Sequence, residues 1–338
     1  MARKNVSAIA RASAIIIIVI IIIVAIAGAY YYVSTQSTST TSTKTKVTFG
    51  IPVKGSYQFM PIYYAANNSY FANNGIDVNV SAFTGDAALS TAIASNSIQI
   101  GMDNIFSVEH FISAGLPIKI VAQVTTANDF VVIVGANSPY HSPADLNGAK
   151  IGVTTIPGLT YQLAKNFAEN NSIPLTPAQL GGLPTQLAAL QQNQSQAFIW
   201  TFDEGYNLQA TGQGRILANL SSYYPSWTTE MVIFASNSMI QNQPTVVQNT
   251  LKSIFQALNG IKSNQAQAAT FLASFLNMNS AAATSTIQRA VNIFSYNGAI
   301  DANGVSYAIS FDVTGGLITG TPPVASDSFT TQFTPVST

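Results

Sequence analysis

The sequence predicts an α/β fold with a mostly parallel sheet framework, preceded by one apolar helix. Three observations carry that expectation. Apolar strands alternate with helical patterns from Val47 onward, a helix-to-strand turn at 93–100 recurs at 190–197, and Ala14–Val33 runs without a charge. Alternating period-2 and period-3.6 segments are the signature of βαβ units.

The N-terminal segment comes first. At about 1.5 Å per residue, a helix over 14–33 matches the roughly 30 Å hydrocarbon core of a bilayer. Arg3, Lys4 and Arg11 precede it with no acidic neighbour, which leaves Met1 in the cytoplasm and the body outside. Tyr30, Tyr31 and Tyr32 stand where an interfacial aromatic belt belongs, and 34–46 reads as a flexible Ser/Thr stalk. A secretory signal has a shorter apolar core and a small-residue cleavage site after it. The segment resembles instead the prepilin-like leaders of archaeal extracellular binding proteins, which are cut before the apolar helix, and Arg11-Ala12-Ser13 fits such a cut. Residues 1–13 are then a basic leader and 14–33 a transmembrane or signal-anchor helix.

The body follows element by element. Strand Val47–Pro52 leads to helical spacing over Pro61–Asn73 that stops at Gly75. Strand Ile76–Val80, helix Ala87–Ser95, strand Ile98–Met102, helix Ile105–Ala114 and the apolar strand Ile118–Val124 come next. A second run has strand Ile151–Thr154, helices Leu159–Asn170 and Thr185–Gln192, and strand Ala197–Trp200. Val247, Leu251, Ile254, Leu258 and Ile261 share a helical face, as do Ile287, Val291 and Phe294. From Gly315 the Gly, Pro, Ser and Thr content predicts a loosely held surface wrap. In the recurrent turn an apolar helix ends at Asn96 or Asn193, and Gln99 or Gln196 follows three residues later. Asn tolerates the left-handed backbone that closes helices, so a duplicated α/β lobe is expected.

Composition excludes several classes of function. With no Cys there is no disulfide framework, thiolate nucleophile or Cys-ligated metal. Two His residues, His110 and His141, give little material for a zinc site or triad, so no metal and no cofactor are expected. Charged residues are 8% of the chain, and eight Lys and Arg in the body face 13 Asp and Glu. Such a body is a poor nucleic-acid partner, because phosphate contacts need clustered Lys and Arg. The low charge fits an acidic medium as well as simple compositional drift. Five N-x-[ST] sequons of the body, at Asn67, Asn79, Asn170, Asn193 and Asn219, permit glycosylation.

Four stretches go further: Pro61–Ala66 running into Tyr70–Val78, Ala92–Gly101, Ser142–Val153 and Leu187–Ala197. In order and spacing they resemble the periplasmic-binding-protein-like II solute receptors of ABC importers. The branch is the one for nitrate, sulfonates, taurine and thiamine precursors. The chain departs from that pattern where Asn96 and Asn193 replace the usual Gly, and Gln99 and Gln196 the usual Asp. The resemblance implies a two-lobed periplasmic binding protein type II fold that closes on a small molecule. Crossovers are placed near Phe130–Gly135 and Met231–Ala235, with lobe 1 at 47–132 and 234–338 and lobe 2 at 133–233. It also implies a monomer that is not an enzyme, with ABC permease and ATPase subunits as partners. A membrane-anchored sensor or adhesion module without a permease is the alternative, and an enzyme on the same fold a weaker one.

In open α/β sheets ligands sit beyond the carboxyl ends of strands. The candidate ligand residues there are Lys54, Tyr57, Phe59, Asp86, Asp103, Asn104, Asp129, Thr155, Gly158, Thr160, Phe202, Asp203 and Trp227. The loop Thr154–Thr160 opens a helix whose free N–H groups can hold an anion, and Gly158 allows close backbone approach. Lys54 is the one cation expected near the cleft. The surrounding carboxylates favour a ligand with amine or ring N–H groups over sulfonate or nitrate, although Asp86 and Asp203 also suit helix N-caps. Trp200 is expected in the core.

Overall fold

The computed structural model describes residues 22–27, 44–225 and 228–338. Residues 22–27 are helical and exposed, and form part of a unit, 1–43, separate from the body. Among the described residues no helix is long and apolar enough to cross a membrane. Most of the span predicted over Ala14–Val33 lies outside the described residues, as does Trp227.

The body contains ten strands: β1 (Thr45–Ile51), β2 (Ile76–Ala82), β3 (Ile100–Asn104), β4 (Ile118–Gln123), β5 (Phe130–Gly135), β6 (Lys150–Val153), β7 (Thr176–Gln179), β8 (Ala197–Thr201), β9 (Gly214–Asn219) and β10 (Met231–Ser236). Its helices are α1 (Met60–Asn67), α2 (Tyr70–Asn73), α3 (Asp86–Ala94), α4 (Ile105–Ser113), α5 (Leu159–Asn171), α6 (Leu183–Gln191), α7 (Phe202–Thr211), α8 (Asn237–Asn242), α9 (Pro244–Ser263), α10 (Gln265–Leu276), α11 (Ser280–Ala290), α12 (Ala302–Gly315) and α13 (Ala325–Ser328). A 3-10 turn, Tyr57–Phe59, precedes α1.

Two five-stranded sheets result, ordered β2-β1-β3-β10-β4 and β7-β6-β8-β5-β9. Each has a parallel core, β2-β1-β3 or β7-β6-β8, and one antiparallel strand supplied by the crossover from the other sheet. The pairing slips once in equivalent places, at Ile233/Phe234 of β10 and Val132/Ile133 of β5. The recurrent turn is equally symmetric. Asn96 (φ 58°) and Asn193 (φ 56°) both take the left-handed conformation. Their N–H groups donate to Ile93 and Leu190 carbonyls, and the next N–H reaches back to Ala92 or Ala189. Gly replaced by Asn therefore keeps the helix stop, because Asn tolerates positive φ better than other side-chain-bearing residues.

The crossover strands read as unbroken apolar runs because both faces are covered. Val131 and Ile133 join one cluster of core side chains, and Val132 and Val134 the other. Both strands lie wholly within one sheet, so the chain changes sheets just before Phe130 and just before Met231. On α9 the residues Val247, Leu251, Ile254, Leu258 and Ile261 are all fully buried, which is the stripe their spacing predicts.

Three expectations change. The helical pattern over 61–73 breaks at Ser69, which adopts a left-handed conformation (φ 61°) and splits it into α1 and α2. The pattern through Phe294 stops earlier, since α11 ends at Ala290. The tail is no loose wrap: Phe329 bridges to Ile120 on the edge strand β4, and Phe333 and Val336 are buried. Pairing an exposed edge with the chain's own C-terminus is one way of covering it.

β1 and β3 pair with Gly50 opposite Gly101. A Cβ on Gly101 would sit 2.5 Å from the Gly50 carbonyl oxygen and 2.6 Å from Phe234 Cζ. Gly101→Ala is expected to cost about 3 kcal/mol in chemical denaturation, and a loss below about 1 kcal/mol would refute so close a packing.

Candidate functional site

The carboxyl ends of β1, β3, β6 and β8 converge on a cleft between the two sheets. Its inner cavity, about 80 Å³, is lined by Val53, Ser56, Gln58 and Phe59 of the first sheet's side and by Thr154, Thr160, Trp200 and Thr201 of the second's. Asp86, Asp103, Asn104, Ser107, Phe130, Leu159 and Met231 complete it. A wider outer cavity of about 460 Å³ shares Asp86, Ser107 and Leu159 with the inner one, and extends to Thr155, Gly158, His110, Gln179 and Leu317.

Each side chain is placed by a local rule. Asp103 is the penultimate residue of β3, where all five residues are buried. One carboxylate oxygen, Oδ1, accepts the Asn104 N–H at 2.7 Å, and Oδ2 has no partner. Burial, with Asp86 nearby, holds its carboxyl well above the usual range. Asn104 caps α4 by accepting the Phe106 N–H at 3.0 Å, and its amide donates to Glu230. Asp86 stands in the first turn of α3 and accepts from Ser107 Oγ at 2.9 Å. Burial raises its carboxyl too, against the pull of that bond. Thr160 Oγ1 accepts from the Thr154 N–H at 2.8 Å and fixes the loop that opens α5. Trp200 is 5% exposed, and its indole N–H is unpartnered at the cavity wall.

Thus Phe59, Asp86, Asp103, Asn104 and Thr160 line the inner cavity, and Thr155 and Gly158 the outer one. Four other candidates are brought together, but line neither cavity. Tyr57, fully buried, donates its hydroxyl to Asp129 and its backbone N–H to Asp203 Oδ2 at 3.0 Å. Gln58 Nε2 bonds both Asp129 oxygens at 3.0 Å, and the Phe202 ring packs tilted against Tyr57 with centroids 4.6 Å apart. Arg289 lies 4.4 Å over the Phe202 ring. Burial, with Asp203 close, lifts the Asp129 carboxyl to about 7, even though the Tyr57 and Gln58 bonds pull it down. These groups clasp the hinge rather than face the cleft.

Two expectations are corrected. The Lys54 ammonium lies over the rings of Tyr63 and Phe275, at 5.6 and 5.7 Å, and Lys54 lines neither cavity. Aromatic faces next to an otherwise lone cation attract it. The tight approach at Gly158 is made by its own loop, since a Cβ there would lie 2.2 Å from Thr155 Oγ1. Trp200, expected in the core, is both buried and part of the wall. Ser56, Gln58 and Ser107 carried no signal in the sequence, because small polar residues are abundant throughout the body.

A family model described as "NMT1/THI5 like" matches residues 56–268. A search of curated proteins finds no match in sequence. Among solved structures, the chain is similar to the alkanesulfonate-binding protein SsuA from Xanthomonas axonopodis pv. citri bound to MOPS. The TM-score is 0.70 at 15% identity, over 85% of this chain and 98% of that one. The ligand-binding component of an ABC-type import system from Staphylococcus aureus, with zinc bound, gives 0.66 at 15% identity, covering 85% and 96%. The desulfurization enzyme DSZB gives 0.61 at 14% identity, covering 86% and 97%. At these identities the likeness is one of fold, that of periplasmic binding proteins.

Proposed function

We propose, from the premise that the chain belongs to the NMT1/THI5-like family, that it is the solute-binding component of an ABC importer. It captures a small polar organic molecule between its two lobes and delivers it to a permease. The observation that carries this reading is the cleft at the strand ends, where one cavity is lined by Asp103 and Trp200, two buried residues that each keep a polar atom, Oδ2 and Nε1, without a partner. Buried polar groups left unpaired are costly unless a ligand or water meets them. Thr201 and Ser56, which line that cavity from opposite sides, have their hydroxyl oxygens 3.2 Å apart and so join the two sides, as a closing cleft would.

A pyrimidine-like heterocycle suits the site better than sulfonate, taurine or nitrate. Among the described residues no Lys or Arg lines either cavity, whereas Arg-type donors are the usual partners of such anions. We further propose that Ala14–Val33 tethers the body to the outer face of the cell membrane, with 34–46 giving the reach to dock on the permease.

Thermal shift with pyrimidines, sulfonates, taurine and nitrate tests the reading. A ligand at a hundredfold its Kd should stabilise the protein by about 2.7 kcal/mol. Silence across the panel, with no permease or ATPase gene adjacent, would overturn it.

A further inference from the structure

The inner cavity has a charge pattern that narrows its ligand further. Two carboxyl groups, Asp86 and Asp103, line it, and no basic side chain does so among the described residues. Asp103 is 3% exposed, and its Oδ2 meets no donor. Of the helix N-termini nearby, which could otherwise hold an anion, that of α4 is capped by Asn104 Oδ1, and that of α3 carries the Asp86 carboxyl in its first turn. The start of α5 has no side-chain cap, but an anion entering the inner cavity would meet two carboxyls and no basic side chain among the described residues. A cation would satisfy the vacant oxygen and relieve the repulsion between the two acids. Phe59, Phe130 and Trp200 supply apolar and aromatic wall beside it.

We propose that the ligand is a small organic cation, a protonated amine or amidinium, whose head enters the inner cavity and donates to Asp103 Oδ2, with Asp86 as the second carboxyl. This rests on the reading of the cleft as a solute site. The same molecule carries a hydrogen-bond acceptor for the Trp200 indole N–H, and its remainder extends past Leu159 into the outer cavity. The inner cavity, about 80 Å³, admits the head and little more. Asp103 is then the residue that sets specificity, and the preference is opposite to that of a sulfonate receptor.

The test uses probes that share a frame and differ in charge. Benzamidine, benzylamine and methylguanidine are compared with benzamide, acetamide, benzenesulfonate and methanesulfonate, with cytosine as a neutral heterocycle, by thermal shift and calorimetry on the whole described body. The cations are expected to bind more tightly than every neutral or anionic probe, and Asp103→Asn, which keeps the shape, should weaken them at least thirtyfold while leaving the melting transition cooperative. Asp86→Asn should weaken them less. Binding of the sulfonates, or of benzamide and cytosine as tightly as the cations, would overturn the cation assignment and leave a solute-binding protein. Cation binding unchanged in both variants would overturn the role of Asp103. No binding by any probe would overturn the proposal, and the wider panel above then decides whether the solute-binding reading falls with it.

Discussion

The protein is expected to melt at least about 5 °C higher at pH 5 than at pH 8. The reason is a set of carboxyl groups whose burial outweighs the charges and hydrogen bonds beside them. Asp312 on α12 is fully buried, and neither of its carboxylate oxygens has a partner; burial, with Glu109 close by, lifts it to about 9. Glu109 on α4, bonded on one oxygen by Ser328 Oγ at 2.8 Å, is lifted to about 7, as are Asp129 and Glu204. An acid whose pKa is raised on folding binds its proton more tightly in the native state. Its penalty is absent below the unfolded value near 4, grows as pH rises through 5 and 6, and is complete only above the folded value. At about 1.36 kcal/mol per pH unit, Glu109 alone accounts for about 3 kcal/mol above pH 7, and Asp312 adds a contribution of the same order by pH 8. For a body of this size each kcal/mol moves the melting point by about 2–4 °C. Lys119 on β4, a basic group of the same sheet edge, is engaged by the Asp327 carbonyl at 2.7 Å. The exposed Asp145 acts in the opposite sense. The N–H groups of His141 and Ser142 hold it below its ordinary value, so its contribution is lost only in stronger acid. Asp312→Asn keeps the shape and removes the titration. It should raise stability at pH 8 by about 2–4 kcal/mol and change little at pH 5. Equal melting points at pH 5 and pH 8 in the wild type would exclude the account.

The framework was legible because its signals are local. Alternation in β1, the unbroken apolar β5 and the stripe on α9 each follow from which faces are covered, and the faces are covered as the periodicities require. The duplicated turn was legible because a positive φ admits few residues, and Asn96 and Asn193 are among them. The tail misled because Gly, Pro and Thr around 315–335 say nothing of where Phe329, Phe333 and Val336 will find partners. Phe329 finds its partner more than 200 residues away, at Ile120, and the Val336 N–H finds the Asn297 carbonyl. The site was half legible for a related reason. Position after a strand finds the acids, so Asp86, Asp103, Asn104 and Thr160 were reached. Strand-end position cannot tell a group that lines the cleft from one that lines neither cavity, as with Tyr57, Asp129, Phe202 and Asp203. Lys54 shows the same limit, since the rings of Tyr63 and Phe275 that draw it away come from α1 and α10. The low charge of the chain, read at first as drift or as adaptation to acid, acquires a physical counterpart in these buried, partner-poor carboxyls.

Removing the Asp203 carboxylate is expected to loosen the closed cleft rather than unfold the protein. Asp203 belongs to α7, on the second sheet, and accepts the backbone N–H of Tyr57 from the first at 3.0 Å. Its other oxygen accepts from Thr201 Oγ1 at 2.5 Å, which places that hydroxyl against Ser56. In the closed form Asp203→Ala leaves the Tyr57 N–H buried without an acceptor, whereas in an opened form water supplies one. A hydrogen bond to a charged group contributes about 1.5–3 kcal/mol, so the balance between closed and open forms should move by about that amount. Apparent ligand affinity falls with the closed fraction, which corresponds to a loss of about 10- to 100-fold for whichever solute the thermal screen identifies. Two measurements separate a clasp from a merely structural carboxylate. Small-angle scattering of the unliganded variant should show a larger radius of gyration, returning to the wild-type value on adding ligand. Asp203→Asn retains an acceptor oxygen for the Tyr57 N–H and should recover most of both properties. A variant with lowered stability but an unchanged radius and affinity would mean that this carboxylate only fills the core, and that closure is held elsewhere, by Arg289 on Phe202 and Asn219 or by Gln162 on the Gly315 carbonyl.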